Sequence, residues 1–294
     1  MNVSVIYVNY NSSNLIANSI KSVIELTNGI SYEIIVVDNN SHQDDKNRLK
    51  TFCTTNNIKL IESDSNLGFG KGNNLGAKYA NGEYIFFLNP DTYLINNAIA
   101  ELFNFAKTNN ISTCGANLFT YDQQPTLSYW MLMPSIADEL SALFANLPLK
   151  IKYRNSYEHN QTSTPKEVAF VTGADLMIRR ELFNRLNGFD ESFFMYFEET
   201  DLQFRINKLG HKTYNLPSAK IIHLESQTLS SRTQKLKLFF ESRRKFYLKN
   251  RSQTQLTIAN VILKFSCIIR ITAFTLLQKN NKVNYWKTIL QQCS

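Results

Sequence analysis

Val3-Ser-Val-Ile-Tyr-Val8 is short, rich in β-branched residues and almost continuously apolar, and Ile34-Ile-Val-Val37 repeats that character. Runs of this kind read as strands buried on both faces, as in a parallel sheet. Between them Leu15, Ile16, Ile20, Val23 and Ile24 fall at helical spacing, behind Ser12 and Ser13 as caps. The alternation continues with a polar helix over 44–56, a strand Ile58–Ile61, a helix after Gly70 and the strand Tyr84–Leu88 (YIFFL). A helix Asn97–Lys107 and a strand Thr113–Leu118 follow. Strands alternating with helices predict an α/β sheet with right-handed crossovers. From Thr120 to Lys166 the pattern is irregular and predicts an insertion over the sheet. Regularity resumes with a strand Val168–Val171, helices Arg180–Leu186 and Glu198–Leu209, and strands Lys212–Leu216 and Ala219–Leu224.

Composition agrees. A chain of 294 residues, 43% hydrophobic and 19% charged, can bury a large core and is not disordered. Met1–Tyr7 has no basic n-region, long apolar run or small-residue cleavage site, so a cytoplasmic location is expected. Cys53, Cys114, Cys267 and Cys293 form no Cys-x-x-Cys pair, which argues against a disulfide framework or zinc site. The net charge of +8 is uneven: Arg232–Ser294 carries 13 Lys or Arg against one acid, Glu241, so residues 1–231 are net acidic. Opposite signs predict a catalytic body over 1–231 and a basic appendage over 232–294 with a different partner.

In open α/β sheets ligands bind outside the carboxyl ends of the strands. The second strand ends at Asp38, whose carboxylate can accept the imide N–H of a pyrimidine base or cap an ordinary turn. Asn66-Leu-Gly-Phe-Gly-Lys-Gly-Asn-Asn-Leu-Gly76 sets glycines at 68, 70, 72 and 76, which permit close approach to a phosphate or ribose. It is neither the dinucleotide fingerprint nor a P-loop. After YIFFL, Asn89-Pro-Asp91 can hold a hard divalent cation bridging two phosphates, or can form a plain turn. Glu198-Glu199-Thr200-Asp201 opens a helix behind the aromatic run Phe193–Phe197. Acids there suit the helix dipole, while the rings would raise a carboxyl pKa. His223 ends the last strand.

Taken in order, Val-Asn-Tyr-Asn, Val-Asp-Asn, Asn-x-Gly-Phe-Gly, Leu-Asn-Pro-Asp, Thr-Gly-Ala, Gly-Phe-Asp-Glu-x-Phe-Phe-Met-Tyr-Phe-Glu-Glu-x-Asp-Leu and Ile-Ile-His resemble the family-2 glycosyltransferases of the rhamnosyltransferase-like branch. The resemblance covers roughly residues 1–250. It implies a GT-A fold with a nucleotide-sugar half over about 1–118 and an acceptor half over about 119–231. It also implies an inverting, metal-dependent transfer from a nucleotide-diphosphate sugar, dTDP-rhamnose or alternatively a UDP-hexose. The acceptor it implies is a saccharide linked to a polyprenyl carrier, in cell-surface polysaccharide synthesis. Donor binding falls to Asp38, Asn66, Gly68, Asn89 and Asp91, and Mn²⁺ or Mg²⁺ binding to Asp91 and His223. Glu199 matches the catalytic base, with Asp201 as a second catalytic candidate. Two departures stand out: Asn89 and Glu199 occupy positions where the family usually has Asp.

Leu256–Leu277 is apolar and about long enough to span a bilayer. A central Lys or Arg costs about 2.5–3.5 kcal/mol on insertion scales, and Lys264 and Arg270 therefore disfavour spanning. Gln253, Thr257, Asn260, Lys264, Thr275 and Gln278 share one helical stripe. The expectation is a basic amphipathic helix lying on an anionic membrane at the inner face of the cell membrane. Packing on the body or on a second subunit is the alternative; nucleic acid, which would leave the apolar face unused, is not expected. Two rival functions remain at this level. A nucleotidyltransferase would want a basic Gly-rich loop where Asn9–Asn14 has no Lys or Arg, and an inactive sugar-nucleotide-binding protein is made conceivable by Asn89 and Glu199.

Overall fold

The computed structural model describes residues 1–154, 163–224 and 232–292; Cys293 and the residue before the boundary drawn at 231/232 lie outside the described residues. The first part is β1 (Val3–Asn9), α1 (Ser13–Leu26), β2 (Tyr32–Asp38), α2 (Gln43–Thr55), β3 (Lys59–Glu62), α3 (Phe69–Ala77) and β4 (Tyr84–Leu88). Next come β5 (Thr92–Leu94), α4 (Ala98–Thr108), β6 (Thr113–Phe119), β7 (Tyr129–Trp130), α5 (Ile136–Leu143) and α6 (Leu147–Tyr153). Then follow β8 (Lys166–Val168), β9 (Phe170–Val171), β10 (Asp175–Arg179), α7 (Arg180–Arg185), α8 (Glu198–Lys208) and β11 (Thr213–His223). Three helices end the chain: α9 (Arg232–Asn250), α10 (Gln253–Leu276) and α11 (Asn280–Gln292).

One nine-stranded sheet carries the order β3-β2-β1-β4-β10-β6-β11-β5, with β8 also paired to β11. Six strands run one way, and β10, β5 and β8 run against them, so the sheet is mixed and mostly parallel as expected. Every residue of β4 is buried, which is why YIFFL is apolar at each position. Helices α1, α2 and α4 cover one face, packing Ile16, Ile20, Leu49 and Leu102 onto Val3, Val5 and Phe86. The other face buries Ile6, Ile85 and Phe87 against Phe183 and Phe189 and against Leu202 of α8.

Four details differ from the pattern reading. Val168–Val171 is two strands: β8 pairs with β11, while β9 pairs with β7 in a separate two-stranded sheet. Conversely, Lys212–Leu216 and Ala219–Leu224 form one strand, β11, whose register against β6 shifts between Leu216 and Lys220. Pro217 lies in that shift and has no N–H to give the ladder. Strands β5 and β10 had no clear sequence signal, and the irregular 120–166 stretch contains β7, α5 and α6.

The C-terminal helices are joined to the body by a shared core. Phe246, Tyr247, Leu256 and Ala259 pack with Phe193, Phe197 and Phe204. A polar seam flanks it. Asp201 is fully buried and accepts from Arg205 Nε at 2.8 Å, Lys249 Nζ at 2.9 Å and Asn250 Nδ2 at 2.7 Å. Arg243 donates to Glu139 at 2.6 Å and to Asn260 at 2.7 Å, tying α9 to α5 and α10. Removing one partner of a fully buried ion pair costs about 3–5 kcal/mol. Lys249 reaches solvent, so Asp201→Asn is expected to cost less, about 2–3 kcal/mol in urea unfolding. An unfolding midpoint equal to wild type would show that the seam contributes nothing.

Candidate active site

The carboxyl ends of β1 and β2 meet in a lattice of short polar side chains. Asn9 Nδ2, fully buried, lies 3.0 Å from Asp38 Oδ1, 3.0 Å from Ser41 Oγ and 2.8 Å from Asp45 Oδ2. Asp38 Oδ2 accepts from the Ser41 N–H at 3.1 Å, so Asp38 does cap its own turn, with Lys46 at 3.9 Å. Each oxygen has a second lone pair for an outside donor. Asn39 reaches across to the glycine-rich loop, donating to Asn66 Oδ1 at 3.0 Å and accepting from the Leu67 N–H at 2.8 Å. Asn66 Oδ1 also accepts from the Gly68 N–H at 3.0 Å, so this side chain shapes the loop. Gly68 has φ +78°, and a Cβ there would run into the Phe194 carbonyl, which accepts from the Phe69 N–H at 3.0 Å. Its close backbone approach is therefore to the segment that leads into α8. Gly70, Gly72 and Gly76 pack against Phe189, Val8 and Ile6 respectively.

At the end of β4 the chain turns through Asn89-Pro-Asp91 into β5, which pairs antiparallel with β11 and sets Thr92 opposite His223. The turn is pinned by Asn89 N–H to the Ala174 carbonyl at 2.9 Å and by Leu224 N–H to the Asp91 carbonyl at 3.0 Å. Three residues distant in sequence thereby converge: His223 Nε2 lies 3.5 Å from Asp91 Oδ1 and 3.4 Å from Asn89 Nδ2. A carboxylate oxygen and an imidazole nitrogen form a donor pair that fits Mn²⁺ better than Mg²⁺, which prefers oxygen. Among the described residues no group of three or more His, Cys, Asp or Glu could hold a metal ion. Asp91 and His223 are therefore a pair that could hold a cation only with further oxygens from a ligand and water. One neighbour was not singled out from sequence. Asp175 opens β10 fully buried, accepting from the Ala116 N–H and the Thr172 hydroxyl. Burial pushes its carboxyl up to about 8, although these two hydrogen bonds and the nearby His223 pull the other way. Its one sequence signal is position, directly after Thr172-Gly-Ala at a strand start.

The acid cluster is delivered by a strained turn. Tyr196 and Phe197 lie at φ +69° and +67°, in the left-handed region, where a non-glycine residue costs about 1–2 kcal/mol. Glu198 turns inward and is buried, and its Oε2 has no hydrogen-bond partner among the described residues. Burial, with the adjacent Glu199 charge, drives its pKa well above the usual carboxyl value. Glu199 faces a cavity of about 460 Å³ that Trp130, Phe170, Tyr196, Phe197, Phe239 and Arg243 also line. Trp130 stacks on Phe170 at 4.6 Å, with 10° between the rings. Burial raises the Glu199 pKa too, and prevails over the backbone and Thr200 hydrogen bonds that lower it. A Cβ placed on Gly173 would meet Glu199 Cγ at 3.4 Å, so Glu199 sits over the 172–175 segment that pins Asn89. Asp201 does not line this cavity; the seam to Arg205, Lys249 and Asn250 takes both its oxygens.

Comparison with known proteins gives a consistent result. The sequence profile of the family described as glycosyl transferase family 2 matches residues 4–186. The low-salt glycan biosynthesis hexosyltransferase Agl10 of Haloferax volcanii is 25% identical over 279 residues, covering 92% of this chain and 84% of that protein. The rhamnosyltransferase WbbL of Escherichia coli is 27% identical over 221 residues, 69% of this chain and 78% of its own. The N-acetylglucosaminyl-diphospho-decaprenol L-rhamnosyltransferase of Mycobacterium tuberculosis is 24% identical over 180 residues, 57% of this chain and 59% of its own. Among solved structures, the mannosyltransferase PcManGT from Pyrobaculum calidifontis, in complex with GDP-Man and Mn²⁺, superposes with a TM-score of 0.59 at 16% identity. That match covers 99% of this chain and 84% of that one. The shared fold is GT-A.

The buried Glu198 makes a prediction of its own. Its pKa is raised on folding, so its contribution is fully present below the unfolded value of 4.5 and is lost as pH rises through the folded one. Glu198→Gln should therefore melt higher than wild type at pH 8 and no higher at pH 4. A melting difference that does not change with pH would contradict the burial of an unpartnered carboxyl.

Proposed function

The chain belongs to glycosyl transferase family 2, and from that premise we propose that it transfers a sugar from a nucleotide diphosphate to a saccharide acceptor with inversion at the anomeric carbon. The observation that carries this is a division of labour. Asp91 and His223, 3.5 Å apart, lie beside Asn89, whose N–H bonds the Ala174 carbonyl of the 172–175 segment. Glu199 lies over the same segment and faces a separate aromatic cavity. Asp91 and His223 would hold a divalent cation, which would supply positive charge to a departing diphosphate. Asn89 presents an amide beside that pair, and Asp38, with Asn66 and Gly68 shaping the adjoining loop, forms the rest of the donor side. Glu199 takes the proton of the acceptor hydroxyl as its oxygen bonds to the anomeric carbon and the bond to the diphosphate breaks. Its raised pKa makes it a stronger base than an exposed carboxylate. Asp201 serves to hold α8 in place.

Residues 1–118 are read as the donor half, 119–231 as the acceptor half and 232–294 as the basic appendage, which lends Phe239, Phe240, Arg243 and Leu263 to the cavity wall. The donor we favour is dTDP-rhamnose, which two rhamnosyltransferase relatives support; a UDP-hexose is the alternative. The acceptor we favour is a lipid-linked saccharide at the inner face of the cell membrane, supported by the mycobacterial relative's diphospho-decaprenol substrate.

Glu199→Gln preserves size and hydrogen bonding but not basicity, and a positioned base contributes about 10²–10⁴-fold. Transfer kcat should fall in that range while donor Kd stays within about threefold. Asp91→Ala should instead abolish the Mn²⁺ dependence of donor binding, and His223→Ala should weaken it. A Glu199→Gln enzyme that retains most of its kcat would exclude Glu199 as the base.

A further inference from the structure

The outward face of α10 is uncovered. Val261, Phe265, Ile268 and Leu276 recur at helical spacing and are exposed, Leu276 by 80% and Val261 by 60%. The opposite face holds the helix to the body. Leu256 and Ala259 are in the shared aromatic core, Asn260 accepts from Arg243, and Arg270 donates to the Ala142 carbonyl at 2.6 Å. Ala142 precedes a second exposed apolar group, Phe144, Leu147 and Ile151, at the tip formed by α6. The Arg270 contact seats α10 on α5, the helix that leads into this second group, so both groups belong to one region of the surface. Spanning a bilayer would require α10 to leave its core, although its length and mean hydropathy of 1.6 would allow it. The polar stripe anticipated from sequence does not face solvent alone, since Asn260 turns to the protein.

Charge identifies the occupant. No acid occurs between Glu139 and Glu158, or anywhere after Glu241, whereas Lys150, Lys152 and Lys264 are exposed within these segments. We infer that the outer face of α10 and the α6 tip together dock on an anionic lipid surface. Bulky apolar residues enter the headgroup region, and lysines meet lipid phosphates. A second copy of the chain would bring two acid-free basic faces together, which like-charge repulsion opposes. The surface deepens the reading of a lipid-linked acceptor and rests on it for its purpose. Leu263, on the inner side of α10, lines the Glu199 cavity, so the bilayer would lie about one helix diameter, roughly 10 Å, from the acceptor site.

The test uses the full chain with Val261→Glu/Phe265→Glu and, separately, Phe144→Glu/Ile151→Glu, none of which lines the cavity. Wild type should float with phosphatidylglycerol-containing vesicles and not with phosphatidylcholine alone. Each pair should weaken that binding about tenfold or more, with the melting temperature and nucleotide-sugar hydrolysis unchanged. Flotation unaffected by both pairs would overturn the proposal. So would wild-type dimerisation that the substitutions abolish without any flotation. Absence of nucleotide-sugar hydrolysis in wild type, with flotation intact, would count against the transferase reading and leave the docking surface standing. Removing the whole tail is a poorer test, because it would uncover Phe204 and Phe193.

Discussion

The parallel arrangement of β1, β2 and β4 imposes one requirement on everything around it: their carboxyl ends finish together, and polar backbone there needs partners. Asn9 answers much of it. Its buried amide contacts Asp38 on β2 and Asp45 on α2, while its oxygen accepts from Ser12 at the start of α1. One side chain thus joins two strands to two helices at the edge where ligands bind. Asn39 does the same for the glycine-rich loop. Each such link is worth only about 0.5–1.5 kcal/mol net. An unpartnered group at these positions would cost about 1–3 kcal/mol. The lattice therefore stabilises the edge mainly by leaving few buried groups unmet, while the pairing of β5 with β11 holds Asp91 beside His223.

The acid cluster follows the opposite principle. Tyr196 and Phe197 adopt a conformation that costs energy, and Glu198 and Glu199 are raised in pKa by burial. Strain and desolvation in one turn must be offset elsewhere, and the neighbouring contacts show where. Gly68 lets Phe69 bond to the Phe194 carbonyl, Gln203 bonds both backbone groups of Val171 at 2.9 Å, and Asp201 anchors α8 to α9. Helix α8 is fastened on three sides so that its first turn can hold Glu198 out of water and Glu199 half-buried at the cavity. Local strain persists only where the surroundings over-determine it, and here those surroundings can be named.

These facts explain what the sequence disclosed. Apolar runs such as VSVIYV and YIFFL announce strands because burial on both faces leaves almost no polar position, so the parallel part of the sheet over 1–118 was legible nearly to its ends. The antiparallel strand β10 was not, since it carries Asp175 at one end and Arg179 at the other. Three-residue β5 is too short to show a period. Candidate site residues stood out where a strand end and a motif coincide, as at Asp38, Asp91 and His223. Asp201 looked equivalent to Glu199 because both lie in one helical turn. Only the third dimension shows that Lys249 and Asn250, far along the chain, meet one and an open cavity meets the other. Glu198 was read only as part of the acid cluster, and Asp175 was not singled out, for the same reason: burial of a carboxyl is a property of its distant neighbours.

The tail shows why charge patterning alone could not choose between membrane and protein. Helical periodicity reports that α10 has polar and apolar sides, not which side the body takes. The core packing of Leu256 and Ala259 and the Arg270 contact to Ala142 decide that, while Glu139 and Asp201 take up Arg243 and Lys249 of α9. Arg243, Lys249 and Arg270 are thereby committed to the protein, whereas Lys150, Lys152 and Lys264 stay exposed. Arginine's planar fork suits the first task at Arg243 and Arg270, where several acceptors must be met at fixed angles, and at Lys249 an ammonium between two carboxylates serves it. Lysine's hydrated point charge suits the second, where phosphate positions vary. The positive charge of the tail and of the α6 tip therefore has two physical meanings, and only the exposed part of it is available to a partner.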